Sequence, residues 1–240
     1  MVVSMSRLED LKIFYELFAE RERTIDGKHK LEECDGHKNW PERGVYFFFE
    51  SGEVRSQTGI GQRVVRVGTH ALAKNSQTSL WKRLKQHKGN DSDCGGNHRG
   101  SIFRSHVGSA LLQKDNWPKD VSQTWSIGST ASREIRLKEK ALEQSVSQYI
   151  GKMPFIWLEV NDEPGPESLR GFIERNSIAL LSNFESFKNP IDPPSATWPG
   201  HLAKSEKVRK SGLWNSNHVS EEYDPGFLEI FKRLIRLGKQ

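Results

Sequence analysis

Residues 44–87 read GVYFFFESGEVRSQTGIGQRVVRVGTHALAKNSQTSLWKRLKQH, and the fold turns on them. Val45, Tyr46, Phe47, Phe48 and Phe49 make an aromatic and β-branched run suited to a buried or half-buried strand. Glu50-Ser51-Gly52-Glu53 follows as a turn signal, and Val64-Val65-Arg66-Val67 is a second run ending at Gly68. Two short strands joined this way predict a hairpin with an extended or bulged connection. After a polar linker, Ser79 to His87 predicts a helix. Leu80, Leu84 and Trp81 supply its apolar stripe, and Arg83 and His87 lie four apart on one face.

Working outward, Ser6 to Arg23 has Leu8, Leu11, Tyr15 and Phe18 at helical spacing, which predicts a helix packed on the core. Thr24 to Glu42 reads as a connecting loop, as does Gly89 to Gly100 (GNDSDCGGNHRG). A helix is expected over Ser101 to Asp115, a strand over Gln123 to Ile127, and a long helix capped by Ser129 or Thr130 and stopped by Gly151. Phe155 to Val160 reads as a further strand. Beyond Asp162, Pro164 and Pro166 open a helix reaching Phe184, and Asn189 to Gly200 carries too many prolines for regular structure. Asp224-Pro225 caps a final helix whose apolar face is Phe227, Leu228, Phe231, Leu234 and Ile235.

Composition bounds the class. The 240 residues are 35% hydrophobic and 28% charged, which describes a soluble globular protein, one large domain or a core with additions. No apolar run approaches the ~20 residues of a membrane helix, and Arg7, Glu9, Asp10 and Lys12 interrupt any N-terminal signal segment. Two cysteines, Cys34 and Cys94, imply no disulfide framework, so the cytoplasm is the expected compartment. A net charge of +5 permits nucleic-acid binding without demanding it.

Gly44-Val45-Tyr46, then Arg66-Val67-Gly68, then Arg83 on a helix, resembles the opening of a GIY-YIG nuclease domain, with Glu143 in KALEQSVSQYI as the carboxylate that completes the set. The resemblance covers about Gly44 to Val160, roughly half the chain. It implies an α+β core with a small central antiparallel sheet flanked by helices. Residues 1–43 then form an N-terminal helix and connecting loop, 44–160 the nuclease core, and 161–240 a C-terminal helical extension packed on it.

The resemblance also implies roles. In GIY-YIG enzymes the residue matching Arg83 holds the scissile phosphate, as the planar donor fork of an arginine suits. The residue matching Tyr46 activates the water. Glu143 is the expected ligand of Mg²⁺ or Mn²⁺, a hard cation that favours carboxylate oxygen and is weakly held without substrate. The chain departs from the family where Arg66 replaces the second tyrosine, as a basic residue does in some restriction enzymes of the family. Beside Tyr46 across the hairpin, Arg66 is expected to lower the phenol pKa, ordinarily about 10, and to contact phosphate. His87 resembles a histidine that joins the site in some of these restriction enzymes, and His70 competes for the same role. The family asparagine a dozen residues after the glutamate is replaced here by Met153-Pro154-Phe155-Ile156; Asn215 and Asn217 are substitutes that the sequence does not place.

Each residue also has a plainer reading. Tyr46 serves equally as a strand aromatic, Arg83 as part of a solvated basic face with Lys82 and Lys85, and Glu143 as an ion-pair partner on a charged helix, with Glu139 the alternative carboxylate. Cys34, His37, Cys94 and His98 supply a tetrahedral zinc donor set, but their spacings match zinc modules only loosely, so they are read as loop residues. Lys204, Lys207, Arg209 and Lys210 form a phosphate-contacting strip, next to Trp214, Asn215 and Asn217, which read either as a base-reading loop or as a buried Trp with turn asparagines. The function expected is divalent-metal-dependent cleavage of double-stranded DNA by a stand-alone restriction-type endonuclease, with a homodimer supplying two active sites. The rivals are a catalytically silent nucleic-acid-binding module, a repair or processing nuclease, and a metal-stabilised interaction protein.

Overall fold

The computed structural model describes residues 6–93, 95–186 and 188–237. Four strands, β1 (His29–Lys30), β2 (Gly44–Val54), β3 (Gln62–Gly68) and β4 (Pro154–Glu159), form one antiparallel sheet in the order β1-β4-β2-β3. Eight α-helices surround it among the described residues: α1 (Arg7–Thr24), α2 (Leu80–Lys88), α3 (Ile102–Lys114), α4 (Lys119–Thr124), α5 (Arg133–Gly151), α6 (Leu169–Leu181), α7 (Glu206–Ser211) and α8 (Phe227–Leu237). The protein is therefore α+β, with a small antiparallel sheet at its centre.

Side chains alternate across a strand, so β2 feeds two cores. Val45, Phe47 and Phe49 join Ile156 and Leu158 of β4 under α1, α6 and α8. Tyr46 and Phe48 join Phe155 and Trp157 under α2, α3 and α5. Both faces are covered, which is why β2 opens on an unbroken apolar run rather than an alternating one.

The hairpin carries a β-bulge. Phe48 faces Arg66 and Phe49 faces Val64, leaving Val65 as the extra residue. Val65 and Arg66 therefore both project to the α3 side: Val65 enters that core, and the Arg66 guanidinium lies 5.5 Å from the Phe103 ring centre. Tyr46 stands directly opposite Gly68, and a Cβ on Gly68 would overlap the phenol. A Cβ on Gly44 would overlap the Leu158 carbonyl. Both glycines allow close approach of neighbours rather than a turn.

Two expectations are corrected. Glu50 to Glu53 is not a turn, because β2 runs on to Val54 and both glutamates are buried anchors. Glu50 Oε2 accepts the indole N–H of Trp198 and of Trp214, each at 3.1 Å, and Glu53 pairs with Arg63 at 2.5 Å. The turn lies beyond, over 55–61, where Asp192 Oδ1 accepts the N–H groups of Ser56, Gln57 and Thr58. The strand expected over Gln123 to Ile127 is absent too. Val121 and Trp125 are four apart, a helical spacing, and both are buried along α4 and its end. The cap of α5 is Ser132, three or two residues past the expected positions, with its hydroxyl accepting from Ile135 N.

Substituting Gly68→Ala should destabilise the protein by about 3 kcal/mol, the upper range for overpacking a closed interior. Urea unfolding monitored by tryptophan fluorescence reads the loss, and an unchanged midpoint would show that the Tyr46 ring is free to move away.

Candidate active site

Leu80 and Leu84 dock α2 onto the sheet, and the next buried residue of that face, His87, meets Tyr46. The phenol oxygen is 2.7 Å from His87 Nε2, and His87 Nδ1 is 2.8 Å from Ser101 Oγ. Both residues are fully buried, and neither lines a cleft. Burial, reinforced by Arg83, Arg66 and Arg104, holds the His87 ring well below its ordinary pKa and therefore neutral.

Glu143 lies on α5 within a tight set of donors. Arg104, wholly buried, sends Nε and Nη2 to Glu143 Oε2 at 3.0 and 2.5 Å, and its Nη1 donates to the His87 carbonyl at 2.8 Å. Oε1 accepts the His98 backbone N–H at 2.6 Å and faces His98 Nδ1 at 2.9 Å. Because the Ser126 N–H donates to His98 Nε2, the imidazole proton sits on Nδ1 and is directed at Glu143. Four donors thus fill the four acceptor positions of this carboxylate. Burial pushes the Glu143 carboxyl up, but the bonds from His98 and the charge of Arg104 outweigh it and hold the group ionised below its usual range.

Tyr46, His87 and Glu143 are therefore brought together, but through Arg104, which the sequence reading passed over. Its signal was a charge at position 104 among Phe103, Val107 and Leu111, on a helix whose buried face it shares.

Two adjoining clefts open over this network. The first, of about 390 Å³, is lined by Arg66, His70, Arg83, Glu174, Asn217 and His218, among others. The second, of about 720 Å³, is lined by Lys82, Lys85, Arg99, Arg136, Glu139 and Glu143, among others. Thr78 and Gln86 belong to both walls, and Arg83 joins them by donating from Nη1 to Gln86 Oε1 (2.8 Å) and to the Gly100 carbonyl (3.2 Å).

In the first cleft, His70 Nδ1 donates to the Thr78 carbonyl at 2.7 Å, and its Nε2 has no hydrogen-bond partner among the described residues. Burial, helped by Arg170, Arg83 and Arg43, outweighs that bond and brings the His70 pKa down to about 4. Arg66 Nη1 donates to the Trp214 carbonyl at 2.8 Å, while its Nε is likewise buried without a partner. Glu174, on α6, accepts from Thr69 N at 3.2 Å; burial raises its carboxyl pKa against the pull of Arg66, His218 and Arg83. Glu174 was also missed in the sequence, where nothing in FIERN marks it out. In the second cleft, Glu139 forms a two-pronged pair with Arg99 at 2.6 and 2.9 Å.

The remaining sequence candidates divide. Lys82, Asn215 and Asn217 line clefts. Lys204, Lys207, Arg209 and Lys210, on or beside α7, line neither; Arg209 donates to the Ala203 and Lys204 carbonyls, and Lys210 pairs with Glu206 at 2.7 Å. Trp214 is wholly buried and bonded to Glu50, and the Asn215 amide bonds both the N–H and the carbonyl of Val67. Those two residues serve the edge of β3 rather than a base-reading loop. Of the Cys/His set, Cys94 lies outside the described residues, Cys34 is buried, His37 is exposed, and both ring nitrogens of His98 are engaged.

A divalent ion at Glu143 would need an oxygen with an open acceptor position. The arrangement provides none while Arg104 and His98 stay in place, so the residues present do not fit a metal ion there.

Two outcomes follow from this burial. Glu143→Ala leaves the Arg104 charge unpaired in the interior and should cost about 3–5 kcal/mol in urea unfolding; a smaller loss would mean that Arg104 finds water. His70 and His106 both have pKa values of about 4 when folded, lowered chiefly by burial. The unfolded chain takes up these protons below about pH 6.5. Their contribution is complete above that pH and is lost as the pH falls from about 6.5 toward 4, on the order of 3 kcal/mol for each ring. Comparing His106→Gln with the parent across that range should show a flatter decline in the variant; parallel curves would exclude His106 as a source.

A family model described as a GIY-YIG domain matches residues 5–240. No curated protein and no solved structure matches the chain. Tyr46, which ends Gly44-Val45-Tyr46, faces Gly68 across one hairpin, Arg83 stands on the helix that follows, and the match extends over nearly every residue around them: the chain belongs to the GIY-YIG domain family.

Proposed function

We propose that this protein is a restriction-type DNA endonuclease that hydrolyses phosphodiester bonds in the groove made by the two clefts. Nuclease action on DNA is the general activity of GIY-YIG domains. The observation that carries the proposal is the position of Arg83 at the junction of two adjoining clefts, with Arg66 to one side and Lys82, Lys85 and Arg136 to the other. Such a run of cations tracks a phosphate backbone, and the guanidinium forks of Arg66 and Arg83 suit the phosphate to be cut. Tyr46 and His87, sealed beneath α2, set where Arg83 stands.

The resemblance implies Mg²⁺ or Mn²⁺ as cofactor. Since Glu143 offers it no open position, the roles assigned here run through the chain's own residues. Cutting both strands takes two active sites, so a homodimer on DNA is part of the restriction reading. One observation favours the rival reading, a catalytically silent DNA-binding module: the hydroxyl of Tyr46 is buried against His87 and the carboxylate of Glu143 is fully engaged.

The test incubates plasmid and mixed genomic DNA with the protein in Mg²⁺, in Mn²⁺ and in chelator. Discrete genomic fragments are expected, and their loss in chelator alone would show that a metal is needed and binds elsewhere than at Glu143 as it stands. Arg83→Ala should slow cleavage by roughly 10²–10³-fold, the usual effect of removing one donor from a developing charge, with an unchanged melting temperature. A smear of fragments would indicate a processing nuclease, and retained binding without any cut would favour the silent module.

A further inference from the structure

We infer that His70 is the base that takes the proton from the attacking water in the first cleft, a role that rests on the nuclease reading above. The Thr78 carbonyl fixes the proton of the ring on Nδ1, so Nε2 carries a lone pair. That nitrogen is buried, in a side chain only 6% exposed, and makes no hydrogen bond among the described residues. On the same cleft wall, Arg66 Nε is a buried donor with no partner. Buried polar groups left unpaired are costly, so native structures seldom keep them without a ligand or water to satisfy them.

The two orphans ask for different things. His70 needs a hydrogen donor, and Arg66 needs an acceptor. A phosphodiester with a water beside it offers both: the water hydrogen to Nε2 and a phosphoryl oxygen to the guanidinium. Of the side chains picked out in the sequence for proton transfer, none is as free to act, and Glu174 on the same wall accepts the Thr69 N–H and is held toward its protonated form by burial. The Tyr46 hydroxyl is spent on His87, both His87 nitrogens are engaged, and the Glu143 carboxylate is filled. Holding the 69–78 loop would use Nδ1 alone and leaves Nε2 without a partner. Burial and the surrounding Arg170, Arg83 and Arg43 keep the ring unprotonated at neutral pH, so the base form is ready. The negative charge of a bound phosphate raises the pKa of a nearby imidazole, which strengthens it as a base when substrate is present.

In the step assigned, the water oxygen bonds to phosphorus as its proton passes to His70 Nε2, and the ester P–O bond breaks. The leaving alkoxide takes a proton from solvent in the open cleft, and the imidazolium returns its proton to bulk water. One water is consumed, leaving a phosphomonoester and a free hydroxyl.

The experiment measures single-turnover cleavage of supercoiled plasmid by the full chain, by His70→Asn (which keeps a short donor toward Thr78) and by His70→Ala. Both variants should cut slower by roughly 10²–10⁴-fold, the range for losing a general base, with binding to a labelled duplex of the same plasmid sequence within threefold of the parent. Added imidazole should speed His70→Ala at least tenfold and leave the parent unchanged. Parental cleavage by His70→Asn, or slowing with no rescue, overturns the assignment while the nuclease reading stands. A parent that binds the plasmid and never cuts it removes the nuclease reading, and this inference with it. Independently of any variant, histidine ¹⁵N chemical shifts of the parent at neutral pH should show His70 as the Nδ1–H tautomer. A proton on Nε2 would rule the base out.

Discussion

The ring of Tyr46 occupies the space that a side chain at position 68 would need, and its hydroxyl ends on His87 of α2. That contact ties the central strand, its hairpin partner and the first helix after the hairpin into one unit. Three separate features of the chain have to coincide for it: an aromatic with a polar tip, a residue without Cβ across the ladder, and an imidazole one turn beyond Arg83. Once the contact is made, α2 has little rotational freedom, and Arg83 is presented at the junction of the two clefts. The same strand pair contains the bulge at Val65, which brings Arg66 to that side of the sheet. A single packing constraint thus fixes the two guanidinium groups nearest the proposed chemistry.

The interior holds charge both beneath the second cleft and away from it. Arg104 with Glu143, Arg99 with Glu139 and Arg63 with Glu53 are each ion pairs in which both side chains are at most 6% exposed. Pairs of this kind are poor sources of net stability, because desolvation offsets most of the attraction. They demand exact partners, however, and a carboxylate with all its acceptor positions filled cannot shift without leaving a donor stranded. Rigidity in the cleft floor is the benefit that follows. The wall above is different: His70 and Arg66 each keep one polar atom unmatched, so the open hydrogen-bonding capacity of the site is concentrated there.

Much of this was legible in the sequence because it depends on periodicity and caps. The helices α1, α2, α3, α5, α6 and α8 all follow apolar spacing bounded by Ser, Gly or Pro, with ends within a few residues of expectation, and the hairpin was legible although its turn was not. The errors share one cause. Glu50 and Glu53 look like turn residues because carboxylates prefer water, yet distant indole and guanidinium donors make their burial possible. Trp125 looks like a strand residue until its stacking on His98, at 3.7 Å between ring centres, and its fit against Gly108 are seen. Among the candidate residues, Tyr46, Arg83, His87 and Glu143 stand out by their order along the chain. Arg104 and Glu174 do not, since their significance comes from partners tens of residues away. Which nitrogen of His70 stays free is decided by one backbone carbonyl, Thr78, and no pattern of residue types encodes that.

The first cleft draws its walls from β3, α2, α6 and the 215–218 turn, and Asn215 completes the edge of β3 from near the end of the chain. Arg7, at the start of α1, donates to the carbonyls of Leu180 and Ser182. During synthesis, therefore, a nascent chain released from the ribosome only as far as α5 holds Tyr46, Arg83 and Glu143 but not the pocket around them. Arg66 would lack the Trp214 carbonyl that orients it, and the sheet margin would stand bare. A cavity assembled last is one that truncated products cannot possess.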